Sequence, residues 1–170
     1  LAEAQVRDSV RGATIPHLKS AAAEAYADAT VRRAPGRAVQ ALDRALLQHP
    51  LGALPVVDRP YFVVASTYAA AARPDRARTI LAQYTVEVRD TTMLRENAPY
   101  VHGVLADVAL TDGRFRDAAT EYRLADRAPD GPVDANPTRT FRQLGVVFDR
   151  AKQADSAIVM YERYLETPEY

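Results

Sequence analysis

The sequence predicts an all-α chain of antiparallel helix pairs that recur about every forty residues. The first ground is a shared texture in four segments. Each places a small residue four positions before a larger one: Ala38 with Leu42, Ala77 with Leu81, Ala118 with Tyr122 and Ala157 with Tyr161. The second ground is spacing. These alanines lie 39, 41 and 39 residues apart, and self-similarity at a fixed period of this size marks a repeat architecture. The third is that each such segment follows an apolar stretch of helical spacing, with links rich in helix-breaking residues between units.

The elements follow in order. A short N-terminal helix is expected over 1–12, with Val6 and Val10 on one face. Four units are expected at about 17–52, 58–91, 99–132 and 138–170, together forming one repeat domain over 1–170. In the first unit the opening helix offers little bulk, with Ala22, Ala25, Tyr26 and Ala29 keeping the spacing. The second unit opens on Tyr61, Val64, Ala65 and Tyr68, the third on Leu105, Ala106 and Ala109, the fourth on Phe141, Leu144, Gly145 and Phe148. Short turns separate the helices of a pair at Arg33 to Gly36, Ala72 to Pro74, Thr111 to Arg114 and Arg150 to Lys152. Gly ends a helix by accepting positive φ, and Pro is tolerated in the first turn of the next. Links run from Leu51 to Asp58, Arg89 to Ala98 and Asp130 to Thr138, each holding Pro, Gly or Asn. The β-prone run Tyr61 to Val64 continues into an Ala-rich stretch that favours helix.

Composition bounds the function. Of 170 residues, 48% are apolar and 26% charged, a globular balance. The 22 basic and 22 acidic side chains cancel, which disfavours nucleic acid as the main partner, because phosphate binding calls for a basic excess. Apolar runs are interrupted well before the roughly 20 residues of a membrane span, so no membrane insertion is expected. With no cysteine, disulfides, thiolate metal sites and a cysteine nucleophile are excluded, while the compartment stays open. Abundant Ala and Arg with few Lys suggest a bacterial source. A cytoplasmic location is expected, with an extracytoplasmic domain of a membrane-anchored protein as the alternative. The start at Leu1 and the end just after Thr167-Pro168 read as a piece of a longer protein.

These residues resemble the tetratricopeptide repeat, whose pattern runs W-x2-L-G-x2-Y, then a small Ala, an aromatic and often Pro. In the last unit Phe141 stands in the Trp place, Leu144-Gly145 match the Leu-Gly pair and Phe148 takes the Tyr place. Ala157 is the small residue, Tyr161 the aromatic, and Pro168 the closing proline, one place early. The third unit keeps Leu105-Ala106, Gly113, Phe115, Ala118, Tyr122 and Ala125, with His102 in the Trp place. The second unit keeps Tyr61, Val64-Ala65, Tyr68, Ala77 and Leu81, and the first keeps Ala38, Leu42, Ala45 and Pro50. The similarity covers about Lys19 to Tyr170. The departure is the period, near 40 against about 34 in the family, which an insertion in the inter-unit links accounts for.

The resemblance implies a right-handed α-solenoid and a protein or peptide partner held along a concave wall of first helices. The wall residues it implies are Arg59, Ser66, Tyr100, Asp107, Arg139, Arg142 and Asp149, with Val146 beside them. The carboxylate clamp of one subclass is not supported, because its places hold Ala23, Ala27, Phe62, Ser66 and Val104. Arg139 and Arg142 remain able to fork an acidic group.

Other chemistry finds no motif. His17, His49 and His102 lack partners at metal-ligand spacing, no glycine-rich phosphate loop occurs, and no serine sits in a nucleophile elbow. Asp126, Asp130 and Asp134 do not match a calcium loop. Tyr61, Tyr68, Tyr122 and Tyr161 read as core. The expectation is therefore no enzyme, no cofactor and no metal, but a protein-binding scaffold. The alternative is a regulatory or sensory segment of a larger bacterial signalling protein, such as a Ser/Thr kinase, cyclase or transcription regulator. Oligomeric state is left open.

Overall fold

The computed structural model describes the backbone of residues 2–126 and 137–167, and the side chains of 14–126 and 140–167. The described secondary structure is entirely helical. The helices are α1 (Ala2–Thr30), α2 (Pro35–Gln48), α3 (Tyr61–Ala70), α4 (Pro74–Glu87), α5 (Thr91–Glu96), α6 (Ala98–Thr111), α7 (Phe115–Ala125), α8 (Pro137–Arg150) and α9 (Ala154–Glu166). The chain divides into two compact units, 1–89 and 90–170, where the sequence reading has one repeat domain. The division falls in the expected link between Arg89 and Ala98.

In the first unit α1 packs on α2 and α3, α2 touches α3, and α3 packs on α4. Its buried residues include Leu18, Ala22 and Ala25 of α1, Ala38 and Leu42 of α2, Val64, Ala65 and Tyr68 of α3, and Ala77 of α4. In the second unit α5 touches α6, α6 packs on α7, α7 on α8 and α8 on α9. A core cluster there joins Ala106 and Ala109, Ala118, Ala119 and Tyr122, and Leu144 and Val147. The four spaced alanines are all buried. Only a small side chain at these points lets the two helices of a pair approach closely.

The four turns inside the pairs share one geometry. The positive-φ residues among those described are Arg33, Ala72, Gly113 and Lys152, at +53°, +59°, +76° and +62°. Each lies five residues before its buried alanine, so the turns repeat with the 39, 41, 39 spacing. The amide after the left-handed residue reaches back to close the helix: Arg73 donates to the Tyr68 carbonyl (2.8 Å), Arg114 to Ala109 (2.8 Å) and Gln153 to Phe148 (2.9 Å). These bonds satisfy carbonyls that the helix end leaves without partners. The amide of each alanine then donates to the residue after the left-handed one, Ala77 to Arg73 (3.2 Å), Ala118 to Arg114 (3.0 Å) and Ala157 to Gln153 (3.0 Å). The first turn is one residue longer on its helix side, with Ala34 donating to Asp28 (2.8 Å).

Three local expectations are corrected. The N-terminal helix does not stop near residue 12, because α1 runs unbroken through Pro16. A proline removes one internal bond, but the Ala-rich stretch after it propagates helix strongly, and Leu18, Ala22 and Ala25 bury on α2 and α3. Gly36 does not end a helix: it sits in the first turn of α2, and Arg33 takes the left-handed conformation. The first two links also hold helical turns, while the third, from Asp130 to Thr138, lies mostly outside the described residues. Residues 51–53 and 56–58 form single 3₁₀ turns, with Leu51 and Leu54 buried. Residues 91–96 form α5, capped by the Asp90 carboxylate, which accepts from the Met93 amide (2.8 Å).

Candidate functional site

Each unit contributes expected wall residues. In the first unit Arg59 precedes α3. Its Nε donates to the Leu54 carbonyl (2.8 Å), its Nη2 to Gly52 (3.3 Å), and its Nη1 pairs with Glu87 Oε2 (2.7 Å). Glu87 also accepts from the Tyr61 hydroxyl and from Gln83 Nε2 (3.1 Å). This network ties the 51–58 link to the end of α4. Arg59 is 12% exposed, and its guanidinium faces these internal acceptors. Burial, with the bond to Glu87, pushes the Tyr61 hydroxyl up to about 12. The bond from Tyr61, with Arg59 and Gln83 behind it, holds the Glu87 carboxyl below its ordinary value. Ser66 is half-buried in mid-α3. Its neighbour Thr67 donates to the Val63 carbonyl (2.7 Å), with the Ala22 carbonyl of α1 3.3 Å away.

In the second unit the Asp107 carboxylate accepts from Tyr122 on α7 (2.6 Å), so this wall candidate also serves the pairing of two helices. His102 Nδ1 lies 2.7 Å from Glu121 Oε2 across the same pair. Tyr100 is 55% exposed near the start of α6. On α8, Arg142, Val146 and Asp149 share one face by their spacing of four and three, with Arg142 and Asp149 exposed. Burial, reinforced by Asp149 and opposed by Arg142, raises the Tyr161 hydroxyl above its ordinary range. Arg139 lies in α8, but its side chain is outside the described residues, as are the side chains of Asp130 and Asp134.

Of the four tyrosines read as core, Tyr61, Tyr68 and Tyr122 are buried and Tyr161 is half-buried. Their hydroxyls carry information that the spacing did not. Tyr68 donates to Asp43 Oδ1 of α2 (2.5 Å), with the Arg76 guanidinium over its ring. Burial and that carboxylate raise the Tyr68 hydroxyl well above its ordinary range. A buried phenol needs an acceptor, so a core tyrosine facing a carboxylate on the neighbouring helix is the legible signal. Asp28 was missed as well. It is 1% exposed and pairs with Arg32 (2.5 Å) and Arg37 (3.0 Å), fastening the end of α1 to the start of α2. Burying a carboxylate requires such partners, and its place four residues before Arg32 was the available clue. His17 and His49 stack with ring centroids 5.8 Å apart.

Among the described residues, no group of three or more His, Cys, Asp or Glu side chains is placed to hold a metal ion, and no helix is long and apolar enough to cross a membrane. No protein-family model, curated protein or solved structure matches the chain.

Proposed function

We propose that the chain is a tetratricopeptide-like interaction scaffold, in which helix pairs stack as a right-handed α-solenoid and the first helices offer a wall to a peptide or helix of a partner protein. The observation that carries this reading is the recurrence of one turn geometry with the 39, 41, 39 spacing, each turn followed by a buried alanine. A repeat with that regularity buries its apolar face against its neighbours and leaves extended helix faces open for ligands. Arg59 and Asp107 contribute to the frame of this wall, since both hold internal partners. Ligand chemistry then falls to Ser66 and Tyr100, and to Arg142 and Asp149 of α8. A partner segment with an acidic group would meet Arg142, and Arg139 one turn before it, as a charge-assisted bond. Helix-in-groove recognition fits such a surface.

The test compares wild type with an Arg139→Ala/Arg142→Ala double variant in a pull-down from the source organism. Loss of one or more partners from the variant, with its thermal melt unchanged, supports the wall. Equal retention of every partner overturns it.

A further inference from the structure

His17 of α1 and His49 at the end of α2 lie 32 residues apart in sequence, and the fold sets their rings side by side. The ring centres are 5.8 Å apart and the planes are parallel to within 2°. His17 is exposed and His49 half-buried, so the pair sits at the surface. Among the described residues, neither imidazole has a hydrogen-bond or ion-pair partner. His102 differs, because Glu121 holds its Nδ1 at 2.7 Å. The pair therefore brings together two imidazoles whose ring nitrogens are open, and imidazole nitrogen is a common ligand of divalent transition metals.

The separation fits such an ion. A metal about 2.0–2.1 Å from one nitrogen of each ring holds the ring centres roughly 5–6.5 Å apart, for ligand angles from tetrahedral to linear. The observed 5.8 Å falls inside that range. Rotation about the broad terminal torsion of each side chain, which no bond here restrains, turns one nitrogen of each ring toward the other. That rotation hardly moves the ring centres, because its axis passes close to them. The backbone adds to the fit. His49 caps α2, and the partial negative charge at a helix C-terminus favours a cation. The last turn of α2 has no base to take that place. Lys19 is two residues from His17, a spacing that does not face it on a helix.

We propose that His17 and His49 together bind one divalent transition-metal ion of the Zn²⁺ kind, with water in its remaining positions. The ion ties α1 to the link after α2 and so stabilises the first unit. Two nitrogen ligands select against Mg²⁺ and Ca²⁺, which take oxygen. The site does not depend on the first-helix wall.

The probe is Zn²⁺ alone, titrated calorimetrically into the untagged 170-residue chain, with Mg²⁺ for comparison. The expected result is one ion per chain, no heat with Mg²⁺, and an affinity reduced about tenfold or more in His17→Gln and in His49→Gln. His102→Gln binds as wild type does. Zn²⁺ also raises the thermal midpoint of wild type and His102→Gln, but not that of the other two variants. His17 is exposed, so its variant folds. Metal-free melts verify this for each variant, and His17→Gln decides alone if His49→Gln does not fold. No binding up to about 1 mM Zn²⁺, or equal binding by His17→Gln, overturns the proposal, as does an equal loss in His102→Gln. Mg²⁺ binding as tightly as Zn²⁺ assigns the heat to oxygen ligands and also overturns it. One ion per two chains does so too, because the metal then belongs to an interface between copies.

Discussion

Gly145 of α8 lies so close to the ring of Tyr161 on α9 that a methyl group at position 145 would sit 2.5 Å from Cε1 and 2.7 Å from Cδ1. The same place, seven residues before the left-handed turn residue, holds Ala65 in α3 and Ala106 in α6, both fully buried. A small residue here sets how closely the pair can approach. Gly145→Ala should therefore lower stability, because overpacking costs about 1–3 kcal/mol, more than the roughly 1 kcal/mol that alanine gains over glycine in a helix. In a Tyr161→Ala background the ring is gone and the same change should stabilise. Urea melts of the four proteins test this, and the same sign in both backgrounds would sink the close-approach account.

The four turns make a second prediction with opposite signs. Ala72 adopts φ of +59° and Gly113 +76°, at the same place in their turns. An L side chain in the left-handed region costs roughly 1–2 kcal/mol, while glycine pays mainly in unfolded-state freedom. Ala72→Gly should raise stability by about 0.5–1 kcal/mol, and Gly113→Ala should lower it by about 1 kcal/mol. Nothing lies within 4 Å of a methyl group at position 113, so packing does not obscure the backbone effect. Ala72→Gly failing to raise the urea midpoint would refute the shared geometry.

The period was legible in the sequence because it rests on packing. Ala38, Ala77, Ala118 and Ala157 have to be small, and the larger residue four later faces the same side. The turns were legible as turns, but not by which residue reverses the chain. Arg33 does what Gly36 was expected to do, and Ala72 and Lys152 take the left-handed place in turns that hold no glycine, because the two helices joined dictate the reversal whatever residue stands there. The helix end expected near residue 12 failed for the converse reason: α1 continues through Pro16 because the Ala-rich stretch after it favours helix and Leu18, Ala22 and Ala25 are buried. The wall candidates were least legible. Arg59 and Asp107 were placed by helix face alone, and their internal partners, Glu87 and Tyr122, lie 28 and 15 residues away in sequence.

Ala157 offers a direct check of the pair packing. It is buried on α9, and its amide closes the turn to Gln153. Ala157→Phe should destabilise by about 1–3 kcal/mol through overpacking against α8, whereas Ile158→Ala, one position round on the open face, should change the melt little. A thermal melt of Ala157→Phe indistinguishable from wild type would count against the assigned register.

The Glu87 network predicts how stability responds to pH. Tyr61, Arg59 and Gln83 all stabilise the ionised carboxylate, so its folded pKa lies below the ordinary 4.5. A depressed folded pKa contributes stability that is present above the unfolded value and lost as pH falls through the folded one. Asp75, held down to about 2 by Arg73, acts in the same direction over a neighbouring window. Wild type should therefore lose stability as pH drops from about 5 toward 2. Glu87→Gln keeps an acceptor for the Tyr61 hydroxyl but neither titrates nor pairs with Arg59. It should be less stable than wild type at pH 7, with the gap narrowing in acid. Tyr61 works at the other limb: its raised pKa, about 12, gives stability that is intact below 10 and fades as pH rises through the folded value. Tyr61→Phe should accordingly flatten the alkaline decline. Urea midpoints measured across pH decide both, and a Glu87→Gln gap that stays constant or widens in acid would show that the carboxylate is not stabilised as the geometry requires.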